Sequence, residues 1–580
     1  MDYSWNELRL ILPLIVIFAV GFLILGVGLI LPSKREGRGG NSHFILPFLG
    51  LVGVVGSWVS LFYVWNTPKL FRKLEKGSRL EKSLEKKELN QALEKELKRV
   101  GIVLSQRAKI YYESNRWHIV DGAKRWDLEL SSEGLSIYHY GEKGILSGSL
   151  VVDNFGLLFC FLITIALFLA ILMSQEYASR MGYHHGEYYA LLFFASGSLM
   201  AMALSYHLLT LFVAMETLSL SVYALAGMSP RQVRSQESAL KYFILGSFAS
   251  AFLLYGICLL YGATGSLDLR DPAYRAVMDT AHPYFALFLS GICLITFALA
   301  FKVGAVPFHW WVPDVYEGAP TPITGFMSTA VKVGGFALMA RVVYGMFRWQ
   351  VLQDFWMPVV WILAVITMLV GSVLALWQRN IKRLLAYSSV VHGGYLLIAI
   401  YVVGSAGQGV DLSPSALHTA LGSIPFYLAA YTFITMGAFA VVISLARNGE
   451  DREDFEYYTG LAHRKPKRAL ALTIFLLALA GIPPTAGFVG KFYVFKAAIE
   501  GGFYVLALLG ILASVVSLYY YLRVVVIMYM HPAEESFDQD FDPWGVKCAI
   551  AISLAAVVVL GVLPAGWLAV SQYSAFAFVR

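Results

Sequence analysis

The chain has 580 residues, of which 58% are hydrophobic and 14% charged, with a mean hydropathy of +0.64. Soluble domains carry roughly a quarter charged residues, so that class is excluded. A net charge of +7 in so apolar a chain reads as loop charge on one side of a bilayer, not as a nucleic-acid surface.

About fourteen apolar runs reach roughly 20 residues, the length a spanning helix needs. This predicts an all-α polytopic membrane protein. The first run begins near Leu8 without a following small-residue cleavage site, so it reads as a retained helix rather than a signal peptide. Cys160, Cys258, Cys293 and Cys548 lie within or at the edge of apolar runs with no CxxC. That spacing argues against a disulfide framework and against an iron–sulfur cluster held by this chain.

In chain order, predicted helices 1 and 2 cover about 8–32 and 44–66. An extramembrane insert follows at 67–148. Its first part spaces Leu70, Leu74, Leu80, Leu84, Leu89, Leu93 and Leu97 among Lys and Glu, an amphipathic helical pattern. Its second part (KIYYESNRWHIV, WDLEL, LSIYHY) is aromatic and β-branched around a DG turn, and reads as short strands. Predicted helices 3, 4 and 5 start near Asp153, Tyr188 and His207, and helix 6 runs from Glu237 to about Tyr261. Helices 7 to 11 cover about 283–309, 321–347, 355–377, 381–403 and 417–445. Helix 12 is the long run 469–500, interrupted by GIPPTAG; helices 13 and 14 cover about 502–530 and 547–575.

Short loops after odd-numbered helices hold most of the basic residues, among them Lys34, Arg35, Arg231, Arg234, Lys382, Arg383 and the cluster Arg464 to Arg468. Those after even-numbered helices are nearly bare, apart from Arg270, Arg275 and the Arg341/Arg348 region. Positive-inside counting then puts both termini, and the insert, on the outer side.

Several charges lie at membrane depth, where a lysine costs roughly 2.5–3.5 kcal/mol to insert. Glu216 sits a third of the way along predicted helix 5. Intramembrane carboxylates mark ion or proton paths; the bland reading is a hydrogen bond to a neighbouring helix. Glu237 and Lys241 share one face at i,i+4. They fit either a functional pair or an interfacial salt bridge with Lys241 snorkelling outward.

Lys302 ends a long uncharged run, and Pro307 deprives the Val303 carbonyl of its helical partner. Broken backbone is tolerated in a membrane where it is buried in protein or lines a hydrated cavity. Snorkelling of Lys302 is the competing reading. His309, just beyond, suits a proton relay or a structural position equally. Lys332 lies about eleven residues into predicted helix 8, too deep to snorkel, and His392 on helix 10 has similar glycine-flanked surroundings.

Pro483 and Pro484 free the carbonyls of Leu479 and Ala480, and Lys491 follows. Two broken helices in comparable positions point to an inverted-repeat transporter. Burial disfavours an ammonium and a nearby carboxylate favours it, so a pair whose separation changes can load and release a proton. Lysine suits this better than arginine, which stays charged.

Six ordered motifs carry a resemblance: METLSLSVYALAG, ESALKYFILGSFASAFLLYG, FKVGAVPFHWWVPDVYEGAPTPITGF, TAVKVGGF, AYSSVVHGGY and AGIPPTAGFVGKFYVF. Over about 150–530 the chain resembles the antiporter-like subunits of respiratory complex I, the bacterial NADH–quinone oxidoreductase. The PFHxWxPDVYxGAP form is similar to the N-type subunits more than to L and M, whose loop runs through PDAH and EAPT. A helix 12 lysine agrees with N and L, where M has a glutamate. The lack of a long lateral helix after helix 14 argues against L.

The resemblance implies fourteen transmembrane helices, with helices 4–8 and 9–13 as two inverted five-helix repeats containing broken helices 7 and 12. The chain then divides into helices 1–2 (1–66), the insert (67–148), helix 3 with the first repeat (149–350), the second repeat (351–530) and helix 14 (531–580). Proton translocation falls to Glu216, Lys302, Lys332 and Lys491, with Glu237, Lys241, His309 and His392 secondary.

The resemblance also implies no redox cofactor in this chain, with NADH, FMN, iron–sulfur clusters and quinone in partner subunits. The partners would be complex I membrane subunits of the K, M, L, J, A and H types, in the bacterial inner membrane with periplasmic termini. The insert departs from the family's short connection; contact with a neighbouring subunit is one role for it. Overlapping motifs leave two transporter alternatives, a multi-subunit cation/proton antiporter and an energy-converting hydrogenase. A structural spacer whose ions only lock helices together is the third.

Overall fold

The computed structural model describes residues 9–30, 42–66, 69–74, 97, 109–113, 116–121, 124–131, 134–139, 143–145, 149–229, 232–346, 350–406, 413–446, 451–532 and 543–578. Helices dominate, and among the described residues twelve are long and apolar enough to cross a membrane. α1 (Leu12–Ile30) and α2 (Ser42–Asn66) precede the insert. There follow α3 (Asn154–Met181), α4 (Gly186–Ala203), α5 (Leu208–Ala226), α6 (Val233–Thr264) and α7 (Phe285–Val303). After a short helix, Trp311–Gly318, come α8 (Thr321–Met346), α9 (Gln350–Leu376), α10 (Ile381–Gly404) and α11 (Pro414–Ile443).

The interrupted twelfth run forms two 15-residue helices, α12 (Pro466–Ala480) and α13 (Ala486–Glu500). Each is only about 22 Å long at 1.5 Å per residue, too short to span a hydrocarbon core of about 30 Å. α14 (Tyr504–Met530), α15 (Trp544–Val562) and α16 (Ala565–Phe578) complete the described chain.

Three expectations need correction. Predicted helix 7 ends at Val303, not near 309, because Gly304 takes the left-handed conformation (φ 73°) and caps it three residues ahead of Pro307. Predicted helix 14 is two helices, since Pro564 cannot continue the α15 hydrogen bonds. Leu70 and Leu74, assigned to an amphipathic helix, lie in strand β1 (Lys69–Leu74). The unpaired edge of a sheet captures this segment and overrides its helical spacing. The rest of that predicted helix lies outside the described residues, save Leu97.

Five strands of the insert form one antiparallel sheet ordered β1-β5-β4-β3-β2, with β2 (Lys109–Glu113), β3 (Arg116–Asp121), β4 (Lys124–Ser131) and β5 (Gly134–His139). The DG signal marks the β3–β4 hairpin, where Asp121 pairs with Lys124. β6 (Lys143–Ile145) and β7 (Leu150–Val152) pair separately and lead into α3.

α3, α8, α10 and α11 make the interior, while α6 and α14 show long apolar faces such as Leu240, Phe243, Ile244 and Phe248. Apolar residues facing outward are what lipid or an apolar partner requires.

Arg341, counted among loop charges from sequence, is instead fully buried on α8. Its Nη1 and Nη2 donate to Asp153 Oδ2 and Oδ1 (2.9 and 2.8 Å), and its Nε donates to the Ala203 carbonyl at the end of α4 (2.6 Å). Asp153 also caps α3, accepting from Gly156 N.

The opposite end of the bundle is tied by the PDVYEGAP loop. Asp314 accepts from Lys241 on α6 (2.8 Å) and Arg383 on α10 (2.9 Å), and Glu317 accepts from Arg383 (2.6 Å). Burial pushes the Asp314 carboxyl up, but the hydrogen bonds from Lys241 and Arg383 outweigh it and hold it below the usual carboxylate range.

Candidate functional site: a buried line of basic side chains

Both helix breaks have the same construction. α7 ends at Gly304 and α12 at Gly481 (φ 87°), and in each case a cis proline stands three residues later, Pro307 and Pro484. Glycine accepts the left-handed turn without a Cβ clash, and proline cannot restart the helix by hydrogen bonding. Each break leaves carbonyls inside the protein.

Lys302, the penultimate residue of α7, is 5% exposed. It does not snorkel: its Nζ donates to Ser219 Oγ on α5 (3.1 Å). Ser219 stands three residues after Glu216, one helical turn away, and donates in turn to the Met215 carbonyl. Glu216 and Lys302 form no direct ion pair, and Glu216 Oε1 is buried without a hydrogen-bond partner.

Lys332 is 3% exposed, donates to the Ser389 carbonyl on α10 and lies 5.6 Å from the centre of the Tyr431 ring. Gly393 lies at this approach. A Cβ there would sit 3.5 Å from Lys332 Nζ and 3.5 Å from the Val303 carbonyl, the oxygen freed at the α7 break. The break beside Lys302 and the Lys332 ammonium thus both face the same spot on α10. The turn just ahead of Lys332, Met327–Val331, is a π-helical bulge, a feature frequent at functional sites.

His392 continues the line. Its Nδ1 is paired with the Tyr427 hydroxyl (2.5 Å), and its Nε2 lies 3.3 Å from the Tyr521 hydroxyl, which is itself bonded to Ser388. Beyond it, Lys491 on α13 donates to the Ala480 carbonyl (2.9 Å), freed at the α12 break, and to Ser514 Oγ (2.8 Å). The Tyr395 ring flanks that ammonium at 5.1 Å. Lys491 and Ser514 line a cavity of about 690 Å³ between α12, α13 and α14.

Glu216, Lys302, Lys332, His392 and Lys491 are therefore brought into one buried region, and Pro307, Pro483 and Pro484 sit at its two breaks. Glu237 and Lys241 are elsewhere. They pair at 2.8 Å at the Asp314 end, with side chains 55% and 42% exposed. His309 is buried against Trp310 and Tyr387, with neither ring nitrogen hydrogen-bonded. Among the described residues no group of three His, Cys, Asp or Glu side chains converges as a metal site would.

Sequence reasoning missed Ser219, Tyr427, Tyr431, Ser514 and Tyr521. No local signal distinguishes them among 33 tyrosines and many helix-facing serines, because each matters only through a partner on another helix.

The α12–α13 break also needs Gly487. A Cβ there would lie 1.8 Å from the Ala478 carbonyl, a backbone atom that cannot yield. Replacing Gly487 with alanine is expected to destabilise the protein by about 1–3 kcal/mol, read as a lower thermal midpoint of the purified complex. An unchanged midpoint would contradict this packing.

The family described as NADH:quinone oxidoreductase/Mrp antiporter, TM, matches residues 205–517. NADH-quinone oxidoreductase subunit N of Trichlorobacter lovleyi is 43% identical over 418 residues, 72% of this chain and 82% of that protein. Subunit N of Myxococcus xanthus is 44% identical over 445 residues, 73% of this chain and 85% of that protein.

Among solved structures, respiratory complex I from Thermus thermophilus matches with a TM-score of 0.67 and 27% identity, covering 96% of this chain and 98% of that one. The Mrp complex from Dietzia sp. shares the fold, with a TM-score of 0.67 at 17% identity over 100% of this chain and 99% of that one. This chain belongs to the NADH:quinone oxidoreductase/Mrp antiporter membrane family, among the subunit N proteins of NADH–quinone oxidoreductase.

Proposed function

We propose that this chain translocates protons within NADH–quinone oxidoreductase, driven by quinone reduction in partner subunits. The observation that carries the reading is the set of buried basic groups, Lys302, Lys332, His392 and Lys491, disposed about two broken helices. Buried ionisable groups are costly in a membrane and are kept there for ion or proton movement. A set that merely locked helices would be expected to pair each ammonium with a carboxylate; these three lysines instead donate to serines and backbone carbonyls.

Charge movement arriving from the quinone site acts first on Glu216 and Lys302. Lys302 is held by Ser219, one helical turn from the Glu216 oxygen that has no hydrogen-bond partner. Pairing with the carboxylate favours the ammonium, and separation favours the free amine. On separation Lys302 passes its proton to Lys332, and His392 with its tyrosines carries it to Lys491 and the outer side.

The likeness of the two breaks supports two inverted five-helix repeats, α4–α8 and the α9–α14 segment, and with them the division 1–66, 67–148, 149–350, 351–530 and 531–580. Positive-inside counting supports termini on the periplasmic side of the bacterial inner membrane, with the Asp314 end facing the cytoplasm. Complex I membrane subunits of the K, M, L, J, A and H types are the proposed neighbours, and the redox cofactors are theirs and the peripheral arm's.

Replacing Lys302 with alanine, or Glu216 with glutamine, is expected to lower quinone-coupled NADH oxidation and proton uptake by about tenfold or more. NADH oxidation by an artificial acceptor should stay near the parent rate. Normal proton uptake by both variants, in vesicles holding the assembled complex, would remove the mechanism.

A further inference from the structure

One buried carboxylate at the Asp314 end takes no part in the scheme above. Asp451 lies in the segment before α12, with its side chain 7% exposed. Its Oδ2 accepts from Tyr177 on α3 (2.7 Å) and from Thr321 Oγ1, the first residue of α8. Lys382 Nζ on α10 is 3.8 Å away but is committed at shorter distance to Glu453 (2.9 Å) and the Ala319 carbonyl (2.9 Å). Asp451 Oδ1 is buried with no hydrogen-bond partner. A salt-bridge clasp would satisfy both oxygens; this carboxylate has an open acceptor at the foot of the helix that carries Lys332.

Side-chain exposure falls toward it, from exposed Asp454 to Glu453, whose side chain is 14% exposed. On its far side a series of hydroxyls leads along α8. Thr321 bonds Asp451, and Thr324 bonds the Tyr316 carbonyl. The buried hydroxyls of Ser389 and Thr435 lie beside Tyr316 and Tyr431. Ser389 then holds Lys332 through its carbonyl. Eleven residues of α8 separate Thr321 from Lys332, about 17 Å of rise, a distance a file of hydroxyls and waters can cover.

We infer that Asp451 takes up the proton at this end of the bundle and delivers it along α8 to Lys332. The inference rests on the proton-translocation reading above. Uptake forms an O–H bond on Asp451 Oδ1 and breaks one on a donating water, leaving hydroxide that solvent neutralises; delivery returns Asp451 to the carboxylate. Burial pushes this carboxyl above the usual range against the pull of Lys382, and Glu453 adds to the rise. Tyr177, Tyr183 and Tyr458 face it as neutral hydroxyls, so Lys382 is the cation beside it.

The test uses the assembled complex with Asp451→Asn, Asp451→Glu and Thr321→Val, and Lys332→Met as the reference. Asparagine mimics the protonated carboxyl and still accepts from Tyr177 and Thr321, so assembly is expected to hold. Its proton uptake should fall on the order of 10²-fold. Glutamate should restore uptake and shift the alkaline limb of the rate against pH, which a purely structural role would not move. Thr321→Val, which removes the relay hydroxyl at constant volume, should slow uptake several-fold; it also serves if Asp451→Asn fails to assemble.

Normal uptake per assembled complex in Asp451→Asn, or in Thr321→Val where the first does not assemble, overturns the inference. The Lys332→Met reference separates the two levels. If it also pumps normally the translocation reading falls; if it alone is inactive, only the role of Asp451 does.

Discussion

Replacing Lys332 with methionine is expected to leave an assembled complex that oxidises NADH with artificial acceptors but takes up almost no protons, a loss on the order of 10²-fold. Lys332 stands between Lys302 and Lys491 in the proposed path. Methionine keeps the length and fills the same space beside Tyr431. It also removes the cost of burying an ammonium that no carboxylate neutralises, so the thermal midpoint should hold or rise. Stability and function then move in opposite directions, the signature of a group retained for chemistry. Lys332→Arg should be equally inactive, because a guanidinium accepts this burial but does not give up its proton. Wild-type uptake in the methionine variant would sink the proposal outright.

Arg341→Met should do the reverse, removing the protein rather than its activity. The Arg341–Asp153 pair is bidentate, both side chains are buried, and it joins the start of α3, the end of α4 and the last two turns of α8. Gly156 makes room for it: a Cβ there would lie 2.6 Å from Arg341 Nη2. Removing the arginine strands a buried carboxylate, a loss of about 3–5 kcal/mol. The expected result is a complex that lacks this subunit or contains little of it, measured by quantifying assembled subunits in membranes. The double variant Asp153→Asn with Arg341→Met should recover most of the assembled protein, since the stranded charge is then gone. A single variant that assembles normally would show that the pair is dispensable.

The membrane class, most helix positions and the identity of the central lysines were legible in the residues, as were the two breaks. A bilayer leaves few choices: about 20 apolar residues must be helical, and a charge or a proline within them has to be accommodated by the protein. The errors fall where that constraint is weak. Leu70 and Leu74 repeat as a helix would, but a neighbouring strand supplied hydrogen bonds that the periodicity could not foresee. Arg341 counted as a loop charge because its partner lies 188 residues earlier in the chain.

The sequence alone thus determined that Glu216, Lys302, Lys332 and His392 lie within spanning segments and Lys491 within an interrupted apolar run, because hydropathy and length are properties of a single run of chain. Only the tertiary structure decided that Ser219, not Glu216, holds Lys302, that the Val303 carbonyl and Lys332 both face Gly393, and that Asp451 stands beneath α8. Those contacts join helices far apart in the chain, and the geometry of a hydrogen bond between two helices is set by their packing, which neither segment carries by itself.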